Sequence, residues 1–150
     1  MANRDVPYGA FNYVVSFDGV DLNGGFSDVS GIGTELNISE YRDGDDVGNY
    51  VRKIPNTYKV TDVTLKRGII DSSTMWGWIN EAHTRGIEAR RPAVVITMRD
   101  EAGQDVQSWI LKEVLPMKYT GPTLAAKGGG EVAMEELVLC AETFEIRVPN

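Results

Sequence analysis

The chain has 150 residues, 42% hydrophobic and 25% charged, the balance of one globular domain large enough to bury its own core. Its net charge of −7 excludes a basic nucleic-acid-binding surface and disfavours attachment to anionic membranes. No apolar run is long enough to cross a bilayer, and the opening MANRDVPYGA lacks a signal-type apolar stretch, so cytoplasmic synthesis and folding are expected.

Residues 11–17, FNYVVSF, alternate as a strand does: Phe11, Tyr13, Val15 and Phe17 on one face, Asn12 and Ser16 on the other. Asp18-Gly19 and Asn23-Gly24-Gly25 are turn signals of the kind that join strands. A short return covers Gly25 to Ser30, and a sharp turn is expected at Gly31-Ile32-Gly33. The second strand runs over Thr34 to Tyr41 with Leu36 and Ile38 on one face. The stretch 42–56, RDGDDVGNYVRKIPN, breaks all periodicity, yet it carries Val47, Tyr50, Val51 and Ile54. A long irregular loop with that many apolar side chains reads as one that docks on something.

Tyr58 to Lys66 is β-branched and reads as a strand, although Val60 and Val63 share a face only through a bulge. Asp71 to Thr74 supplies N-caps for a helix whose Met75, Trp78, Ile79 and Ala82 form one apolar stripe. Gly86 is the expected C-terminal stop, and Arg85 suits the helix dipole. Residues 93–99 alternate with Val94, Ile96 and Met98 inward; Asp100 to Gln104 makes a hairpin loop; Val106 to Val114 follows as a strand covered on both faces. Pro116 and Pro122 flank the short extended piece MKYTG. Gly128-Gly129-Gly130 then leads into a closing strand, Val132 to Val148, whose expected apolar face is Val132, Met134, Val138, Cys140, Phe144, Ile146 and Val148. This order predicts a mainly β fold, an antiparallel sandwich or barrel of about seven strands with one mid-chain α-helix.

Reactive constellations are lacking in the sequence. Cys140 is the only cysteine and His83 the only histidine, so neither an intrachain disulfide nor a Cys/His zinc site can be assembled. Gly128 to Gly130 lacks the Lys-Ser/Thr of a phosphate loop and precedes a strand rather than a helix. Glu135 and Glu136 point to opposite faces of a strand and read, like Asp45 and Asp46, as solvated or interface charge. Trp78 lies on the core stripe, Trp76 off it, and His83 reads as a surface or boundary residue. No catalytic group, metal ligand set or cofactor site is expected.

Several segments together resemble the tail-tube protein family of contractile-tailed bacteriophages and contractile injection systems, with an Hcp-like tube fold. Phe11 to Gly19 (FNYVVSFDG) resembles its opening strand, and Phe26 to Ile32 (FSDVSGI) its next element. Glu40-Tyr41-Arg42-Asp43-Gly44, Lys53-Ile54-Pro55-Asn56 and Val63 to Gly68 (VTLKRG) are similar to successive family motifs. Trp109 to Pro122 (WILKEVLPMKYTGP) and Glu131 to Leu139 (EVAMEELVL) complete the likeness, which spans nearly the whole chain in order. Asn56 stands where the family often has Gly, and Asp45 to Gly48 lengthens the loop.

The resemblance implies a structural subunit that forms hexameric rings, stacked into a hollow inner tube within a contractile sheath. The implied partners are further copies of the chain, the sheath protein, and baseplate, spike and terminator proteins. DNA or effector cargo would pass the lumen without specific binding, and the chain would leave the cell only by lysis or within a particle. Subunit and ring contacts are expected at Glu40, Tyr41, Arg42, Asp43, Gly44, Tyr50, Val51, Arg52, Lys53, Ile54 and Pro55. The net negative charge would suit a tube that releases both its cargo and a more basic sheath. The alternative is a small-ligand-binding β-barrel with Trp76 or Trp109 lining a pocket.

Overall fold

A computed structural model describes residues 12–17, 20–21, 26–42, 44, 48, 50–68, 73–122 and 133–148. The strands are β1 (Asn12–Phe17), β2 (Val20–Asp21), β3 (Asp28–Ser30), β4 (Thr34–Tyr41), β5 (Arg52–Val60), β6 (Val63–Gly68), β7 (Arg91–Arg99), β8 (Asp105–Thr120) and β9 (Met134–Arg147). One helix, α1 (Ser73–Arg85), runs into a 3-10 turn over Gly86–Ala89. Seven strands form one antiparallel sheet in the order β2-β1-β7-β8-β9-β6-β3, while β4 and β5 pair only with each other. Nine described strands therefore replace the expected seven or so, the excess coming from short β2 and from a split described below.

The large sheet curls until its ends meet. Phe26, just ahead of β3, bridges Tyr13 of β1: Phe26 N–H donates to the Tyr13 carbonyl at 2.8 Å, and Tyr13 N–H returns a bond of 3.3 Å. That closure removes most of the open edge that a seven-stranded sheet would present. Inside lie Val15, Phe26, Val63, Leu65, Val94, Ile96, Leu111, Leu137 and Leu139, all essentially inaccessible to water. Met75, Trp78 and Ile79 of α1 join the same cluster, with Ala82 half-buried against it, as the helical stripe predicts. Trp78 Nε1 donates to the Ala89 carbonyl at 2.8 Å, pinning α1 to the 3-10 turn. Gly86, with φ at 60°, ends the helix in the left-handed region where glycine carries no penalty.

Four expectations about the strands are corrected. The closing strand buries its odd-numbered face, Glu135, Leu137 and Leu139, rather than Met134, Val138 and Cys140. Cross-strand partners decide this, because Leu137 and Leu139 lie opposite Leu65 and Val63 of β6. Tyr58 to Lys66 is not one bulged strand; it breaks at Thr61-Asp62 into β5 and β6, which belong to different sheets. That break, and no bulge, separates Val60 from Val63. The stretch 42–56 is not wholly irregular, since β5 begins at Arg52. Finally, β8 runs unbroken past Pro116 to Thr120. It changes phase at Glu113, whose φ of 56° lets Leu111 and Val114 both turn inward. Arg90 holds this point, with its Nε 2.9 Å from Glu113 and Nη1 3.8 Å from Glu142. Phe11 and the Gly128 to Gly130 segment lie outside the described residues.

Candidate assembly surface

Strands β4 and β5 form an arm that leaves the barrel through two adjacent legs. Gly31-Ile32-Gly33 carries the chain out of β3, and Thr61-Asp62 returns it to β6. Thr61 ties the legs together: its N–H donates to the Gly33 carbonyl at 3.0 Å, and its hydroxyl donates to the carbonyls of Gly31 and Gly33. Gly31 sits at φ 85°, and a Cβ there would overlap the Asp62 carbonyl oxygen. The expected glycine turn is therefore a crossing point between two sheets, held close by the missing side chain.

Beyond this base the arm is largely exposed, with β5 approaching β9 of the barrel. Every residue of β4, and every residue of β5 except Val60, is exposed. Leu36 (48%), Ile38 (47%) and Tyr58 (56%) are large apolar side chains in that position. A lone two-stranded hairpin is marginal in water. A side-chain bond from the arm to the barrel is a long one, Tyr58 hydroxyl to Thr143 Oγ1 at 3.4 Å. Thr34, Tyr58 and Val60 also face Thr143, Phe144, Glu145 and Ile146 across an open cleft of about 460 Å³.

The arm gathers most of the predicted contact residues. Glu40 and Tyr41 end β4, while Arg52, Lys53, Ile54 and Pro55 open β5. In register, Glu40 lies opposite Lys53, Tyr41 opposite Arg52 and Ile38 opposite Pro55. Pro55 is tolerated because, among the described residues, neither arm strand has a second neighbour that would need its missing N–H. Arg42, Gly44, Tyr50 and Val51 lie in the connection at the tip, all exposed, with Arg42 Nη2 donating to the Gly48 carbonyl at 3.4 Å. Asp43 lies outside the described residues. The carboxylate of Glu40 is held below the usual range by a hydrogen bond from the Lys53 ammonium and by its charge. The sequence reading did not single out Leu36, Ile38 and Tyr58, which the structure leaves exposed on the arm; their signal was apolar side chains on strands flanking an apolar-rich loop.

A second polar cluster, buried in the barrel, was also missed. Arg67 and Glu135 face each other across β6 and β9 with Nε 2.9 Å from Oε1, and their side chains are 1% and 0% exposed. The Tyr119 hydroxyl donates to Glu135 Oε2 at 2.9 Å, and the Arg67 guanidinium lies 5.1 Å from the Phe26 ring centre. Glu135 is thus core rather than the solvated charge expected, while Glu136, on the other face, sits 3.9 Å from Lys66. The cluster pairs charges across two strands; no group of His, Cys, Asp or Glu suited to a metal occurs among the described residues. Trp76 is exposed on α1, and Trp109 lines a shallow cleft with Tyr13, Val29 and Ile32. No helix among the described residues is long and apolar enough to cross a membrane.

Residues 9–145 match the family model for the T4-like virus tail tube protein gp19. Among solved structures, the chain is 25% identical to one from the PVC sheath-tube complex of an extracellular contractile injection system in its extended state. That match covers 97% of this chain and 94% of the other, with a TM-score of 0.80. A chain of the PVC sheath/tube terminator is 26% identical, over 96% of this chain and 99% of that one, with a TM-score of 0.78. Hcp1 from Flavobacterium johnsoniae shares the fold alone: 10% identity over 93% of this chain and 97% of that one, TM-score 0.54. The sequence matches none of the curated proteins.

Proposed function

The chain belongs to the T4-like virus tail tube protein gp19 family, and from that premise we propose that it builds the inner tube of a contractile tail or injection particle as hexameric rings. It is a structural tube subunit, one tail-tube domain without catalysis or cofactor. It assembles in the cytoplasm, inside a contractile sheath and between baseplate and terminator proteins. DNA or effector cargo passes through the lumen without specific binding. Copies join through the arm: the tip residues Glu40 to Gly44 and Tyr50 to Pro55 reach a neighbouring subunit or ring.

The observation that carries this reading is an arm of two strands, exposed nearly throughout, on a barrel that closes its own sheet. Burying a side chain of the size of Ile38 contributes about 1.5–3 kcal/mol, and every subunit of a polymer repeats the contact. Purified protein examined by negative-stain electron microscopy at rising concentration is expected to form rings or hollow filaments of uniform bore. Ile38→Asp, exposed in the single chain, should leave the circular dichroism spectrum unchanged and abolish those assemblies. Tubes of normal length from Ile38→Asp would remove the arm from the interface. A monomer at every concentration, with sheath and baseplate proteins supplied, would remove the tube reading itself.

A further inference from the structure

Little backbone closes the barrel. Where β1 meets the segment leading into β3, the described residues make one bridge, Tyr13 with Phe26. Strand β3 itself pairs with β6 through Asp28 with Lys66, Val29 with Leu65 and Ser30 with Thr64. Strands this short specify register weakly, and a slip of one residue turns each side chain to the other face. Nor does the alternation of β3 place Phe26. Val29 packs against the core, so a period of two would turn Ser27 inward and Phe26 outward. The observed arrangement is the reverse: the chain bends at Ser27, which is exposed, while Phe26 is buried.

The buried charges lie where that bend needs support. Arg67 Nε is 2.9 Å from Glu135 Oε1, the Tyr119 hydroxyl donates to Glu135 Oε2 at 2.9 Å, and the guanidinium rests 5.1 Å from the centre of the Phe26 ring. The cluster therefore crosses three neighbouring strands, β8, β9 and β6, and ends on the residue that bonds β1. We infer that Arg67 is a latch: oriented by Glu135 and Tyr119, it positions the Phe26 ring and so keeps the barrel closed at the Tyr13–Phe26 seam in one register. Burial draws the ring inward but is non-directional, and more than one closure would satisfy it. A guanidinium is planar and directional, and the carboxylate that orients this one is itself held by a phenol from β8. Replacing a buried ion pair by apolar residues often leaves stability unchanged, so the role that remains for the pair is to select one arrangement. The same register carries the chain from β3 into Gly31, whose close approach to the Asp62 carbonyl forms the base of the arm.

Amide hydrogen exchange, followed by NMR on unassembled full-length subunits, reads the seam and the rest of the barrel separately. The amides of Tyr13 and Phe26, each bonded to the other's carbonyl, report the seam. Those of Ile96 and Leu111, on the inner strands β7 and β8, report opening of the whole sheet. In Arg67→Met with Glu135→Leu the space stays filled without charge; the seam amides should exchange at least about tenfold faster than in the parent, with Ile96 and Leu111 little changed. Tyr119→Phe removes one hydroxyl two strands away from β6, and should speed the seam amides at least about threefold, again without moving the inner pair. This milder variant decides the matter if the double variant does not fold. Seam exchange at the parent rate in Tyr119→Phe and in the double variant would overturn the latch. A rise shared equally by seam and inner amides would overturn it too, since the cluster would then stabilise the barrel as a whole without selecting its closure.

Discussion

Replacing Arg67 by Met should destabilise the barrel far more than its position on a short strand suggests. The change removes the guanidinium 2.9 Å from Glu135, whose side chain is fully buried and also accepts a bond from the Tyr119 hydroxyl. Breaking a buried pair from one side costs about 3–5 kcal/mol, because a buried charge loses its countercharge. Loss of the guanidinium over the Phe26 ring adds about 0.5–2 kcal/mol. For a chain of this length each kcal/mol shifts the melting temperature by roughly 2–4 °C, so a fall of at least about 6 °C is expected. Urea and thermal unfolding of unassembled subunits, followed by circular dichroism, read the effect directly. The double variant Arg67→Met with Glu135→Leu removes both charges and should recover most of the loss, leaving a coupling energy of about 3 kcal/mol. If Arg67→Met alone cost less than about 1 kcal/mol, or the double variant were no better than the single one, the two charges would not be acting as a buried pair.

Two further perturbations test the base and tip of the arm. Gly31→Ala forces a side chain into the left-handed region and against the Asp62 carbonyl, so it should cost at least about 1–3 kcal/mol and abolish tubes seen by electron microscopy. Gly33→Ala meets only the Thr61 hydroxyl, at 3.2 Å, and should assemble nearly as well; equal behaviour of the two would refute the crossing-point reading. At the tip, the lowered pKa of Glu40 means that its pairing with Lys53 favours the folded arm at pH above the ordinary carboxylate range, and that this support is lost as pH falls through the lowered value. Carbon-detected NMR titration should place the Glu40 midpoint below that of a model glutamate, and Lys53→Met should bring it back; a midpoint unmoved by Lys53→Met would dismiss the pair.

What the sequence disclosed depended on how local each element's stabilising contacts are. The α1 stripe was legible because Met75, Trp78 and Ile79 recur at the helical period and meet one surface. The closing strand was misread because both of its faces carry apolar residues. Leu137 and Leu139 alternate with Val138 and Cys140, and only the distant partners Val63 and Leu65 decide between them. Arg67 and Glu135 were illegible for the same reason: 68 residues separate them, and each alone looks like surface. The start of β5 was hidden by the register shift opposite Asn37, which puts Pro55, Tyr58 and Val60 on one face without an even spacing. Chain-length likeness identified the family where periodicity could not, since its motifs recur in order along nearly the whole chain.

The division between barrel and arm also separates folding from assembly. The barrel bonds its own closing seam at Tyr13 and Phe26, and it holds the buried core and the buried charges, so its stability is a property of one chain. The arm exposes apolar side chains and two strand edges, features that in a monomer invite uncontrolled pairing. Three devices moderate it: cross-strand charge pairs at Glu35–Lys59 and Glu40–Lys53, Pro55 on β5, and the irregular register near Asn37. Each spoils the flat, uncharged edge that fibril-like addition needs. Changes in the barrel should therefore move the melting temperature of the subunit, and changes in the arm should move the concentration at which tubes appear. The physical reason for that separation lies in which strands the described chain covers by itself.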